Sequence, residues 1–274
     1  MSPVSRRQAV AGLAALPFAA SSAAPRAFGA SGRCFVLVHG AWHGGWCWKK
    51  IRPRLMAAGH EVYTPTLTGL GERAHLLTAD VGLDTHIQDV VAMLEVEDLR
   101  DVVLVGHSYG GMVITGVAQR APQRLAQLIY LDAFMPDPGR SLADYTRPAG
   151  AVTSPAPPST TTSSAAAPAR DWRVPPRSTA EEFGVRERAD VDWVQARLGS
   201  QSGKTFGQPL PTAPDVPANL PRAYIQCTTD AWFAEAAARA ARLGYPTRTL
   251  FGGGHDVMIS EPVRLTTLLL ELAG

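Results

Sequence analysis

The chain has 274 residues, 46% of them hydrophobic and 18% charged, with a formal net charge of +2. This composition suits a globular core and allows one large α/β domain or two small ones. So small a charge, with no basic stripe, argues against nucleic-acid binding, and no run is apolar for long enough to span a membrane as a mature segment, so the partner expected is a small molecule.

In chain order, residues 1–30 read as a removable export signal. Arg6 and Arg7 precede the apolar run Ala9 to Ala20, and small residues and Pro25 follow. That is the layout of a twin-arginine signal, whose alternative is an alanine-rich tail. Export would place the mature protein in the periplasm or outside the cell. The cysteines, Cys34, Cys47 and Cys227, leave at least one thiol unpaired and fit no zinc spacing. No metal or other cofactor is called for.

From residue 31 onward, apolar runs alternate with helical patterns, which predicts a mostly parallel sheet flanked by helices on both faces. The strands expected are Cys34 to His39, His60 to Thr64, Asp101 to Val105, Leu125 to Leu131, Arg222 to Cys227 and Thr247 to Phe251. The helices expected are Trp46 to Ala58, Asp84 to Glu97, Met112 to Arg120, Trp232 to Leu243 and Glu261 to Ala273. Residues 136–220 interrupt the alternation and read as a cap inserted into one domain that spans 31–274. Within them, 149–170 is a low-complexity stretch of Ala, Ser, Thr and Pro that cannot bury enough surface to offset its ordering entropy.

The chemistry centres on Gly106-His107-Ser108-Tyr109-Gly110. A strand stops at Gly-x-Ser-x-Gly and a helix follows, the setting in which a serine is exposed on a sharp turn as a nucleophile. The expected base is His255, past the last strand in a glycine-rich loop at the carboxyl edge of the sheet, where ligands bind in open α/β folds. The expected acid is Asp230, which preserves the chain order Ser…Asp…His of this hydrolase class. Two carboxylates compete with it. Asp132 ends the preceding strand and could reach the histidine from there, or else caps a loop. Asp256 adjoins the base, so its side chain should diverge, or else it is a surface charge. The oxyanion donors expected are the backbone amides of Tyr109 and Ala41.

Phe35-Val36-Leu37-Val38-His39-Gly40-Ala41-Trp42-His43-Gly44-Gly45-Trp46, Leu67-Thr68-Gly69-Leu70-Gly71-Glu72-Arg73, the serine motif and Gly254-His255-Asp256-Val257-Met258 together resemble one subgroup of the α/β-hydrolase superfamily. It holds bacterial carboxylesterases similar to plant methylesterases and hydroxynitrile lyases. The similarity covers Cys34 to Asp137 and Pro221 to the C-terminus. The resemblance implies an α/β-hydrolase fold, Ser108, Asp230 and His255 as a triad, and the Ala41 and Tyr109 amides as the oxyanion hole. It also implies small or aromatic esters with short alcohols as substrates.

Lyases of this group use a threonine after the first-strand histidine and a lysine after the catalytic one. Here those positions hold Gly40 and Asp256, which favours a serine carboxylesterase over a cyanohydrin-cleaving lyase; a non-catalytic small-molecule binder on the same fold is the third reading. The cap departs from the relatives through its low-complexity stretch. Its aromatics Trp172, Trp193 and Phe206 either cover the acyl pocket or anchor the lid. Trp42, Trp46 and Trp48 read as packing residues more than substrate contacts, though Trp42 borders the oxyanion loop and is a candidate for the pocket wall. His43 and His86 read as structural hydrogen-bonding histidines.

Overall fold

A computed structural model describes residues 32–146 and 172–274. The export signal read at 1–30 and the low-complexity stretch 149–170 lie outside the described residues. The main sheet has six strands: β1 (Cys34–Val38), β2 (Glu61–Tyr63), β3 (Val102–His107), β4 (Leu125–Leu131), β7 (Arg222–Gln226) and β8 (Thr247–Thr249). Their order is β2-β1-β3-β4-β7-β8, and every pairing is parallel. From β1 the chain winds outward to β2, then crosses back to place β3 on β1's other side. The β1/β3 boundary is therefore a switch point, where the loops leaving the two strands part and open a crevice.

Strand alternation divides the core in two. Val36, Val38, Leu104, Leu128 and Tyr130 face one side, with Ile87, Val90 and Leu94 of α2 (Leu83–Val96) and nearly all of α3 (Gly110–Arg120). Phe35, Leu37, Val103, Val105 and Ile129 face the other, with Trp48, Leu55 of α1 (Arg52–Ala57), and Leu265 and Leu269 of α9 (Pro262–Ala273). With both faces covered, the central strands read as unbroken apolar runs. Helix α7 (Ala231–Arg242) fills the link from β7 to β8.

One expected helix comes in pieces. Trp46 to Ala58 is a 3-10 helix over Gly45–Lys50 followed by α1, because Pro53 in the first turn of α1 has no N–H to continue an upstream ladder. The helix expected over Glu261 to Ala273 is α9, opened by Pro262, and a short helix α8 (Val257–Ser260) precedes it. The described cap contains α4 (Leu142–Thr146), α5 (Arg188–Gln195), α6 (Lys204–Gly207) and an antiparallel pair of β5 (Arg173–Val174) with β6 (Gln201–Ser202).

Candidate active site

Ser108 sits between β3 and α3 with φ of +53°, a left-handed conformation rare for a residue with a Cβ. The bend is held by Ser108 N donating to Leu131 O and by Phe134 N and Gly111 N donating to Ser108 O. It closes tightly enough that a Cβ on Gly106 would lie 2.6 Å from Gly110 O, and one on Gly110 2.8 Å from Val38 O. Both glycines are thus required by contact as well as by motif. The elbow aims Ser108 at the N-terminus of the 11-residue α3, the end whose partial positive charge favours an anion.

His255 leaves the loop after β8, and its Nδ1 donates to Asp132 Oδ2 at 2.8 Å. The carboxylate on this imidazole is therefore Asp132, in place of the expected Asp230. Asp132 is fully buried at the end of β4, between the serine's strand and β7. Cys227 N and Thr228 N donate to its Oδ1 at 2.8 and 3.1 Å, and Thr228 Oγ1 to its Oδ2 at 2.9 Å. Its φ of +42° and the 2.7 Å bond from its amide to Ile225 O turn the side chain over the edge of the sheet. Asp230 lies four residues beyond β7, exposed beside the start of α7, and lines the rim of the cavity. Chain order alone does not separate the two, because both follow neighbouring strands at the same sheet edge.

His255 is itself boxed in. Phe233 stacks on its ring with centroids 4.8 Å apart, and His107 lies 4.4 Å away. His107 Nε2 donates to the His255 carbonyl at 3.1 Å, while its Nδ1 is buried with no hydrogen-bond partner among the described residues. Burial, reinforced by His255 and His43, holds His107 well below the usual imidazole pKa and so neutral. Neither His107 nor Phe233 was singled out from sequence, where each looks like an ordinary helix or strand residue.

Ser108 and His255 open on one cavity of about 680 Å³, also lined by Ala41, Trp42, Tyr109, Phe134, Phe206 and Phe233. Phe183 closes another wall, and Arg177, Glu182 and Arg186 bring charge to it. Of the aromatics expected there, Trp42 and Phe206 are present, with ring centroids 5.7 Å apart. Trp172 and Trp193 are not. Trp193 packs edge-on against Trp46 at 5.1 Å and so anchors the cap, while Trp172 stacks under the guanidinium of its neighbour Arg173 within the cap. Trp46 and Trp48 also stay outside the cavity.

The loop after β1 is tied down from several directions. Trp42, with φ of +65°, donates from its amide to Gln201 Oε1 at 3.0 Å and from its indole to Val174 O at 3.1 Å. Cap strands β5 and β6 therefore hold the residue next to Ala41. Among the described residues, neither the Ala41 nor the Tyr109 amide is engaged in a backbone hydrogen bond. The Tyr109 hydroxyl lies 3.0 Å from His86 Nδ1, and His86 Nε2 donates to Thr68 O at 2.9 Å. Burial pushes His86 down to about 4, and it pushes His39 down to about 3. The structural roles read for His43 and His86 agree with these contacts. As neighbouring side chains should, Asp256 turns away from His255, but it is fully buried against His43, not a surface charge. Among the described residues no cluster of three or more His, Cys, Asp or Glu could hold a metal ion.

The sequence profile of the alpha/beta hydrolase family matches residues 35–267. A carbendazim hydrolyzing esterase from Nocardioides sp. (strain SG-4G) is 43% identical over 248 residues, which are 87% of this chain and 98% of that protein. Salicylic acid-binding protein 2 of Nicotiana tabacum is 39% identical over 107 residues, 39% of this chain and 41% of that protein. Among solved structures, an extracellular alpha/beta-hydrolase from a Paenibacillus species superposes with a TM-score of 0.66 at 22% identity, over 88% of this chain and 98% of the other, a likeness of fold.

Proposed function

The chain belongs to the alpha/beta hydrolase family as a carboxylic ester hydrolase, and from that premise we propose that it works as a serine esterase through Ser108, His255 and Asp132. The observation that carries the reading is the short bond from His255 Nδ1 to the buried Asp132 carboxylate, at the mouth of a cavity that Ser108 also lines. A carboxylate accepts, so Nδ1 carries the proton and Nε2 keeps its lone pair for the serine hydroxyl.

Ser108 Oγ attacks the ester carbonyl while His255 takes its proton. The tetrahedral oxyanion rests on the Ala41 and Tyr109 amides at the positive end of α3. His255 then protonates the departing alcohol, and water activated by the same imidazole releases the acid. Asp132 keeps its negative charge throughout and stabilises the imidazolium.

The aromatic walls favour a flat acyl or carbamoyl group, and the resemblance to the methylesterases favours a short alcohol. Carbendazim, a methyl carbamate on a planar heteroaromatic ring, combines both features and is the first substrate to try. The lyase reading meets a steric obstacle: a Cβ at Gly40 would lie 2.9 Å from Ser108 Cβ and from His107 Nδ1, leaving no room for a threonine. We further propose that Arg6, Arg7 and the apolar run after them direct export to the periplasm; N-terminal sequencing of the secreted protein should begin between about Ala24 and Ser31.

The test sets wild type beside Ser108→Ala on p-nitrophenyl acetate, carbendazim and a cyanohydrin. Ester turnover that disappears in the variant is the expected result. Cyanide release without ester turnover would overturn the reading in favour of a lyase, and a silent wild type in favour of a binder.

A further inference from the structure

The loop that presents the Ala41 amide and the loop that presents His255 meet in a buried pair that no step of ester cleavage uses. His43, two residues past Ala41, is 1% exposed, and Asp256, next to the base, is 0% exposed. His43 Nε2 lies 3.1 Å from Asp256 Oδ2, and His43 Nδ1 lies 2.7 Å from Ala41 O. A carbonyl and a carboxylate both only accept. Both ring nitrogens must then donate, so His43 is an imidazolium balanced by Asp256.

We propose that His43 and Asp256 form a buried tie that fixes the oxyanion loop relative to the catalytic imidazole, making both of them positioning residues for acyl transfer. This rests on the esterase reading above. At one end the tie grips the carbonyl of Ala41, the residue whose amide receives the oxyanion. At the other it grips the side chain adjoining His255 in sequence, whose own amide donates to Phe183 O at 2.9 Å and whose carbonyl caps α8 by accepting from Ile259 N and Ser260 N. Neither loop can shift without stretching a charge-assisted bond in a water-poor setting.

The surroundings agree with one cation at this point. Trp46 stacks on the His43 ring at 5.3 Å, with Phe183 and His107 edge-on at 5.4 and 6.3 Å. Burial would pull His43 down, but the Asp256 charge and hydrogen bond hold it above the ordinary imidazole value. The other titratable neighbours stay uncharged: His39 and His107 are kept neutral by burial, and burial with Asp256 pushes the Cys47 thiol up.

Asp256→Ala cuts the tie, whereas Asp256→Asn keeps a hydrogen bond across it, its amide N–H donating to the Nε2 of a neutral His43 whose Nδ1 still donates to Ala41 O. With p-nitrophenyl acetate, Asp256→Ala should lower kcat by about 10–100-fold with KM within about threefold, while Asp256→Asn recovers most of the loss. The double variant His43→Leu with Asp256→Leu fills the same space with apolar side chains, so its Tm should stay near wild type while kcat remains low. A folded Asp256→Ala or double-leucine enzyme with kcat within about twofold of wild type would overturn the tie. So would an Asp256→Asn enzyme as impaired as Asp256→Ala. A wild type lacking Ser108-dependent turnover would instead remove the esterase reading on which the tie rests.

Discussion

A single carboxylate determines how this site is read. Asp132 and Asp230 follow neighbouring strands, and the order of a nucleophile, an acid and a base along the chain is satisfied by either. What separates them is backbone conformation. The positive φ at Asp132 turns its carboxylate over the sheet edge into two amides and a hydroxyl, whereas Asp230 faces the rim of the cavity. The aromatic residues show the same limit of sequence. Trp193 and Phe206 are both large apolar side chains in the cap, yet one is spent on Trp46 and the other lines the cavity. Phe206→Ala should therefore lower kcat/KM for aromatic esters by about 10–200-fold, the scale of a lost apolar wall. Trp193→Leu should leave kcat/KM within about threefold and lower Tm instead. Equal kinetic effects from the two substitutions would contradict the cavity described here.

At the scale of elements, the elbow was the most legible part, because its glycines answer to contacts a few residues away. Gly106→Ala places a methyl group against Gly110 O, so it should destabilise by about 1–3 kcal/mol and lower kcat by disturbing Ser108, as urea unfolding and kinetics would show. An unchanged variant would mean that the bend has room for a methyl group at this position. The strands were also legible from their apolar runs. The helix that splits before Pro53 was not, because the apolar spacing continues across the break while the backbone hydrogen bonds do not. Nor did sequence show that Gln201, in a two-residue cap strand, supports Trp42 beside the oxyanion loop. Gln201→Ala strips the part-buried Trp42 amide of its acceptor and should cost about 1–3 kcal/mol of stability. A Tm equal to that of wild type would show that another group takes over the bond.

Across the whole molecule, the buried histidines link stability to pH. His39 and His86 are held neutral by burial, down to about 3 and about 4. In the unfolded chain both would take up protons near 6.5. Between those values the unfolded state binds more protons, so stability should fall as pH drops from about 6.5 toward 4. His43 has the opposite sign: its raised value stabilises fully below 6.5 and loses that contribution only as pH rises through the folded value, so it does not mask the acid slope. Urea unfolding followed from pH 7 to 5 should show the midpoint declining before the carboxylates titrate, and a flat midpoint would contradict the neutral assignment. The overall architecture was readable from alternating patterns because each strand and helix covers a face of one sheet. The convergence on one cavity of the loops after β1, β3, β4, β7 and β8 was only partly readable, since it depends on which strands lie side by side.

The most direct measurement compares Asp132→Asn with Asp230→Asn in steady-state hydrolysis of an activated ester. If His255 draws its orientation and charge balance from the end of β4, the first substitution should cost kcat on the order of 10⁴-fold and the second less than about tenfold. The reverse ranking, with both proteins folded, would contradict the account.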